Sequence, residues 1–304
     1  MRAFVGVTDQ DWYDFLKSQP HLDEVNFWQP GGKQQFRALS RGELFLFKLH
    51  APKDFIVGGG IFWYSTLIPI NLAWESFKES NGARTLMDMR ALIGKFRKEP
   101  DYRIADYTIG CILLEQPFFL PETAWIPVPD WNRNIVQGKR YDLSTGPGIS
   151  IWNQLNRRFT GVIPYTAREG SPRYGEPALV RQRLGQGTFR IMVTDAYGRR
   201  CAVTNERTLP ALDAAHIKPY SDSGEHAVNN GILLRRDLHA LFDQGYVTIN
   251  PDMKFEVSRK IREEFENGID YYRLHGAEIR VPDDPLNRPD REYLEWHNTK
   301  KYNG

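Results

Sequence analysis

Residues 201–249 read CAVTNERTLPALDAAHIKPYSDSGEHAVNNGILLRRDLHALFDQGYVTI. This stretch predicts a strand over residues 211–217, a loop, a second short strand over residues 231–234 and a helix from about 237 to 244, so that two strands and a helix enclose one cleft. His216 stands at the end of the first strand. An imidazole with an ordinary pKa near 6.5 is largely neutral at working pH and can take a proton from an attacking water as general base. Asn230 has no acid–base chemistry, and its amide is suited to fixing the base-bearing strand or the imidazole's orientation. His239 and Asp243 are four residues apart on the helix, hence on one face, where both can reach one divalent cation. Arg235, Arg236 and Lys218 are candidates for contacting backbone phosphates. Isolated histidines such as His226, His275 and His297 are read as structural.

The rest of the chain sets the frame. Its 304 residues suggest two domains, and 41% hydrophobic with 26% charged residues exclude intrinsic disorder and fibrous repeats. The longest apolar run, residues 61–74, is broken by Ser65, Thr66, Pro69 and Asn71, so no membrane partner is expected. Asp9 and Asp11 interrupt the N-terminus before a signal-peptide core forms, which places the protein in the cytoplasm. Cys111 and Cys201 are the only cysteines, too few for an all-cysteine zinc site. A net charge of +2 neither demands nor forbids a nucleic-acid partner.

Residues 8–18 predict an opening helix behind a Thr8 cap. Strands are expected over 36–39, 43–49, 55–63 and 107–115, separated by turns at Gly31-Gly32, Arg41-Gly42 and Gly58-Gly59-Gly60, with a helical stretch over 74–96. The first domain, residues 1–143, therefore reads as a β-barrel with helices packed on it, in an α+β chain. Residues 144–175 have the Gly/Pro-rich composition of a linker. The second domain, residues 176–304, opens with two helical pieces around Gly185 and Gly187.

The words AAHI, NG and HALFD, with Asn230 fourteen residues after His216 and His239 nine after Asn230, resemble the HNH family of nucleases, in the branch without zinc-binding cysteines. The resemblance implies a ββα-metal fold over roughly residues 176–300, with His216, Asn230 and His239 as the site. It also implies one divalent metal, Mg²⁺ or Mn²⁺ by ligand chemistry, with Zn²⁺, Ni²⁺ or Co²⁺ admitted by an imidazole ligand. Many HNH nucleases carry an acidic ligand just before the base histidine, where this chain has Ala215. Either Asp213 substitutes, or His239 and Asp243 hold the ion with water.

In the first domain, residues 25–62 and 107–128 resemble the PUA superfamily, close to its EVE-like members, whose barrels can hold a flipped base. Joined to an HNH unit, this implies a modification-dependent restriction endonuclease acting on double-stranded DNA that carries 5-methylcytosine, 5-hydroxymethylcytosine or a related base. Extruding such a base needs a pocket with aromatic walls and polar edge readers. Trp28, Phe36, Trp63, Tyr64 and Trp74 are candidate walls, with Asn26, Gln29 and Asn71 as readers, and Lys33, Arg37, Lys48, Lys53 and Lys78 could hold phosphates. Cutting both strands needs two sites, so a homodimer or a dimer on DNA is expected. Two alternatives stand beside this: a nuclease whose first domain reads RNA or unmodified sequence, and a base-binding protein whose nuclease unit has decayed.

Overall fold

The run Leu44–Leu49 (LFLFKL) alternates between two cores rather than between core and water. Leu44 and Leu46 join Ala3, Val5, Ile56, Ile126 and Tyr141 on one side, while Phe45, Phe47 and Leu49 join Trp12, Tyr13, Leu16 and Phe27 on the other. A strand buried on both faces reads as continuous apolar sequence. It is the centre of the first of two compact units, Met1–Leu179 and Val180–Gly304. The computed structural model describes residues 1–97, 105–132, 134–158 and 185–304.

The first unit opens with a strand, β1 (Arg2–Thr8), followed by helix α1 (Gln10–Lys17) and strands β2 (Glu24–Gln29), β3 (Leu44–Leu49) and β4 (Phe55–Pro69). Helices α2 (Ile70–Phe77) and α3 (Leu86–Gly94) lead to β5 (Thr108–Phe119), β6 (Ile126–Pro127), β7 (Gly138–Asp142) and helix α4 (Gly146–Arg158). The sheet runs β2-β5-β4-β3-β1-β7 with β6 beside β4. Among the described residues only β1 and β3 pair in parallel. The α+β class holds, whereas the expected barrel is an open mixed sheet in which β2 and β7 form the two ends.

Four local expectations are corrected. Thr8 ends β1 instead of capping α1, whose N-cap is Asp9. Residues 36–39 form no strand. Gly58-Gly59-Gly60 is no turn but lies inside β4, where a Cβ on Gly58 would stand 2.3 Å from the Phe118 carbonyl oxygen and one on Gly59 2.5 Å from that of Phe45. Glycine there lets neighbouring strands approach. Residues 146–158, expected within a linker, are helix α4, which packs on β6 and β7 and buries Ile151 and Leu155 in the same core as Ala3, Val5, Leu44 and Leu46. Residues 159–175 of the expected linker and the first helical piece before Gly185 lie outside the described residues.

The second unit begins with helix α5 (Gln186–Ala196), then the hairpin of β8 (Leu212–His216) and β9 (Gly231–Arg235), helix α6 (Arg236–Asp243) and the ribbon β10 (Val247–Ile249) with β11 (Phe255–Val257). Short helices α7 (Lys260–Phe265) and α8 (Ile269–Tyr272) precede the C-terminal helix α9 (Arg291–Lys300). Phe189, Leu212, Ala215, Ile232, Leu234, Leu238 and Phe242 are buried in its core. Among the described residues no helix is long and apolar enough to cross a membrane.

Candidate active site

Antiparallel pairing of β8 with β9 sets His216 opposite Gly231 and Asp213 opposite Leu234. A Cβ at Gly231 would stand 2.4 Å from Val193 and 2.9 Å from the Phe189 ring, so only glycine lets α5 close on the hairpin here. Phe189 in turn stacks on the His216 imidazole, with ring centroids 3.8 Å apart and planes 12° from parallel. His216 therefore has one face against carbon. Burial first, and then the nearby His226 and His239, push its pKa down to about 4 against the opposing pull of Asp243. The ring is neutral at physiological pH, as a general base must be.

Asn230 is fully buried at the end of the loop that follows His216. Its Oδ1 accepts from the Lys218 amide at 2.9 Å, and its Nδ2 donates to the carbonyls of Lys218 and Glu225 at 2.9 and 2.7 Å. The Ile217 amide donates to the Asn230 carbonyl at 2.9 Å. The Asn230 amide thus bonds the chain on either side of the loop after His216 and not the imidazole itself.

Helix α6 presents His239 and Asp243 on one face because Leu238 and Phe242 anchor the other in the core. His239 lies between two carboxylates, with Asp213 Oδ2 3.4 Å from Nδ1 and Asp243 Oδ2 3.2 Å from Nε2. Burial would lower its pKa, but the two carboxylates outweigh that and raise it to about 9. Asp213 also pairs with Arg190 at 3.2 Å. Burial works against its ionised form, yet His239 and Arg190 hold its pKa below the usual carboxylate range.

A divalent ion meets a two-ligand fit here. Nε2 of His239 and the Asp243 carboxylate are as close as neighbouring ligands on a six-coordinate ion with bonds of about 2.1 Å. Asp213 stands behind the other ring nitrogen, where a metal-bound histidine ordinarily finds a carboxylate. Among the described residues no group of three or more His, Cys, Asp or Glu side chains is arranged to hold a metal. The chain thus offers a pair of donors backed by Asp213. Ala215 is fully buried, so the position before the base faces the core and not the cleft.

Of the residues expected at phosphates, Arg235 is paired with Asp237 through both Nε and Nη2, Arg236 is exposed, and the Lys218 ammonium lies 5.8 Å above the Trp296 ring. Sequence reasoning did not bring Phe189 to the site and read His226 as structural. His226 stands ten residues after His216 inside the loop that the matched words skip, so nothing in the pattern marked it, yet its Nδ1 is 3.0 Å from His216 Nε2.

Residues 201–250 match the family model HNH_2, HNH endonuclease. The second unit thus carries an HNH endonuclease domain, the domain of a nuclease. No curated protein matches the chain. Among solved structures, the modification-dependent restriction endonuclease TagI is similar over 96% of this chain and 79% of its own, at 14% identity and a TM-score of 0.31. The ZmASCH protein of Zymomonas mobilis, solved as a point variant, is similar over 50% of this chain and 97% of its own, at 10% identity and a TM-score of 0.30.

The first unit holds a cavity of about 980 Å³. Trp28, Phe36, Gln29 and Lys33 line it, together with Phe4, Trp12, Phe27, Gln35, Arg97 and Gln137, which the sequence did not single out. The other expected pocket residues lie elsewhere. Trp63 is buried under the Arg41 guanidinium, 3.2 Å from its ring. Asn26 is fully buried and donates to Asn81 and Cys111. Asn71 accepts from Arg90 at 2.9 Å, while Tyr64 sits within β4 and Trp74 on α2, neither on the cavity wall. Lys48 is buried against Asp54, which removes it from the phosphate candidates, while exposed Lys53 donates to Gln10. Exposed Arg37 and Lys78 line no part of the cavity.

Proposed function

We propose that the protein is a modification-dependent DNA endonuclease in which the second unit hydrolyses a phosphodiester and the first selects a modified cytosine. The observation that carries the reading is a neutral imidazole, His216, at the end of a strand beside the His239–Asp243 pair on the following helix. His216 takes a proton from water as the water oxygen bonds to phosphorus, and the bond to the leaving oxygen breaks. Asn230 keeps the base-bearing chain in place. His239 and Asp243 would hold one divalent ion, Mg²⁺ or Mn²⁺ by the hardness of the carboxylate, with Asp213 orienting His239. Such an ion stabilises negative charge on the phosphate and leaving oxygen. Arg236, exposed at the start of the helix, and Lys218 would meet backbone phosphates near the hairpin.

For the first unit, the cavity beside Trp28 and Phe36 supports base capture, because aromatic side chains there can stack an extruded base while Gln29 and Gln35 offer amides to its edge. The open sheet takes the place of the expected barrel as its frame, and the relation to the PUA superfamily remains part of this proposal. Plasmids matched in sequence but carrying cytosine, 5-methylcytosine or 5-hydroxymethylcytosine, digested with Mg²⁺ or Mn²⁺, test both halves together. Cutting confined to modified plasmids is expected. Equal cutting of all three removes the sensor, competition by structured RNA reassigns it, and binding without hydrolysis under any ion removes the nuclease.

A further inference from the structure

A general base uses one ring nitrogen, and the hydrogen bond made by the other decides which tautomer is present. In His216, Nε2 is engaged at 3.0 Å by Nδ1 of His226, and Nδ1 has no hydrogen-bond partner among the described residues. Two imidazole nitrogens at that distance share one proton, so one donates and the other accepts. If His216 is to receive a proton at Nδ1, that nitrogen must be bare and Nε2 must carry hydrogen. His226 Nδ1 must then be the acceptor.

Resting on the nuclease reading of this site, we infer that His226 is the positioning residue of the base: its Nδ1 accepts from His216 Nε2–H and so holds the imidazole in the tautomer with Nδ1 open to water. The surroundings fit that assignment. Tyr220 stacks on His226 at 5.4 Å with planes 23° apart, and Phe189 stacks on His216, so both rings are fixed in orientation as well as in distance. Burial lowers the pKa of His226, which keeps the ring neutral and its Nδ1 able to accept. During the reaction the proton from water goes to His216 Nδ1 and stays there, and the hydrogen on Nε2 becomes charge-assisted toward His226. No proton passes to His226, and solvent discharges His216 after the leaving oxygen departs.

The test begins on the full-length protein without metal or DNA, by nitrogen-15 NMR of its histidines at neutral pH. The expected spectrum has a bare Nδ1 and a protonated Nε2 in His216. A protonated Nδ1 overturns the inference, and this readout stands even if the protein cuts no DNA, which would sink the nuclease reading instead. In single-turnover cutting, His226→Ala is expected to lose about 10-fold to 100-fold in rate, the usual cost of removing an orienting partner, and to mix the His216 tautomers. His226→Asn places an amide oxygen near the lost Nδ1 and is expected to recover most of the rate and the single tautomer. A folded His226→Ala protein that cuts within about twofold of the wild type overturns the inference.

Discussion

At the scale of single residues, the site depends on two side chains whose burial does opposite things. Burial keeps the His216 imidazole neutral, its pKa pushed down to about 4, so if it is the base as proposed the rate should not fall through the ordinary imidazole range. With metal saturating, kcat/KM is expected to stay level from pH 8 to about pH 5 and to decline only as His216 takes its proton below that. An acid limb centred near 6.5 would place the imidazole in water instead. His216→Ala should lower cutting by at least about 100-fold while DNA binding in a gel-shift titration stays intact. Asn230 spends its burial on three hydrogen bonds to the loop, and Asn230→Ala removes all three. Its cost is expected at about 1–3 kcal/mol in a urea melt, with loss of cutting at temperatures where the variant is still folded. An unchanged melt would mean that water replaces the amide. His216, Asn230 and His239 stood out in the sequence as candidates because their types, order and spacing resemble one family's pattern. Phe189 and His226 did not, since stacking and a second imidazole at 3.0 Å are products of how α5 and the loop fold onto β8.

At the scale of elements, the hairpin and helix of the second unit were readable because apolar runs, glycine and the i, i+4 pair agree, and the bounds moved by only a residue or two. The first unit was harder. Gly58-Gly59-Gly60 carries the composition of a turn but lies in a long strand that needs close neighbours on both sides, and the Gly-Pro-Gly opening of α4 hides a helix whose apolar contacts are Ile151 and Leu155. Strand pairing also makes a feature no single strand announces: β2 and β5 align Glu24 with Glu115, both buried. Burial foremost, with Glu24 adding and Arg41 opposing, raises the Glu115 pKa to about 8. A carboxyl raised above its unfolded value of 4.5 binds more protons folded than unfolded between those limits. Its contribution to stability is full below pH 4.5 and is lost as pH rises through about 8. Glu115→Gln keeps the neutral shape, so its urea midpoint is expected to exceed that of the wild type at pH 9 and to match it near pH 5. A variant that loses stability at both pH values would show that the ionised carboxylate holds the strands together.

At the scale of the whole molecule, the proposed function gives each chain one His216 as base and therefore one attack on one strand. The two strands of a duplex run in opposite directions, so a second cut with the same geometry needs a second copy turned by a two-fold axis, or one copy that leaves and returns. These routes differ in their dependence on concentration. If two copies meet on DNA, nicking of a supercoiled modified plasmid rises in proportion to protein, while conversion to linear product rises more steeply and overtakes it once both sites are filled. If one copy returns, nicked circles accumulate first at every concentration and linear product follows after a lag that adding protein shortens only in proportion. The expectation is the first pattern, with a dimer forming in sedimentation on modified duplex. A protein that sediments as a monomer on such a duplex and still linearises it without a nicked intermediate would remove the paired-site account, because one imidazole would then be serving both strands within a single encounter.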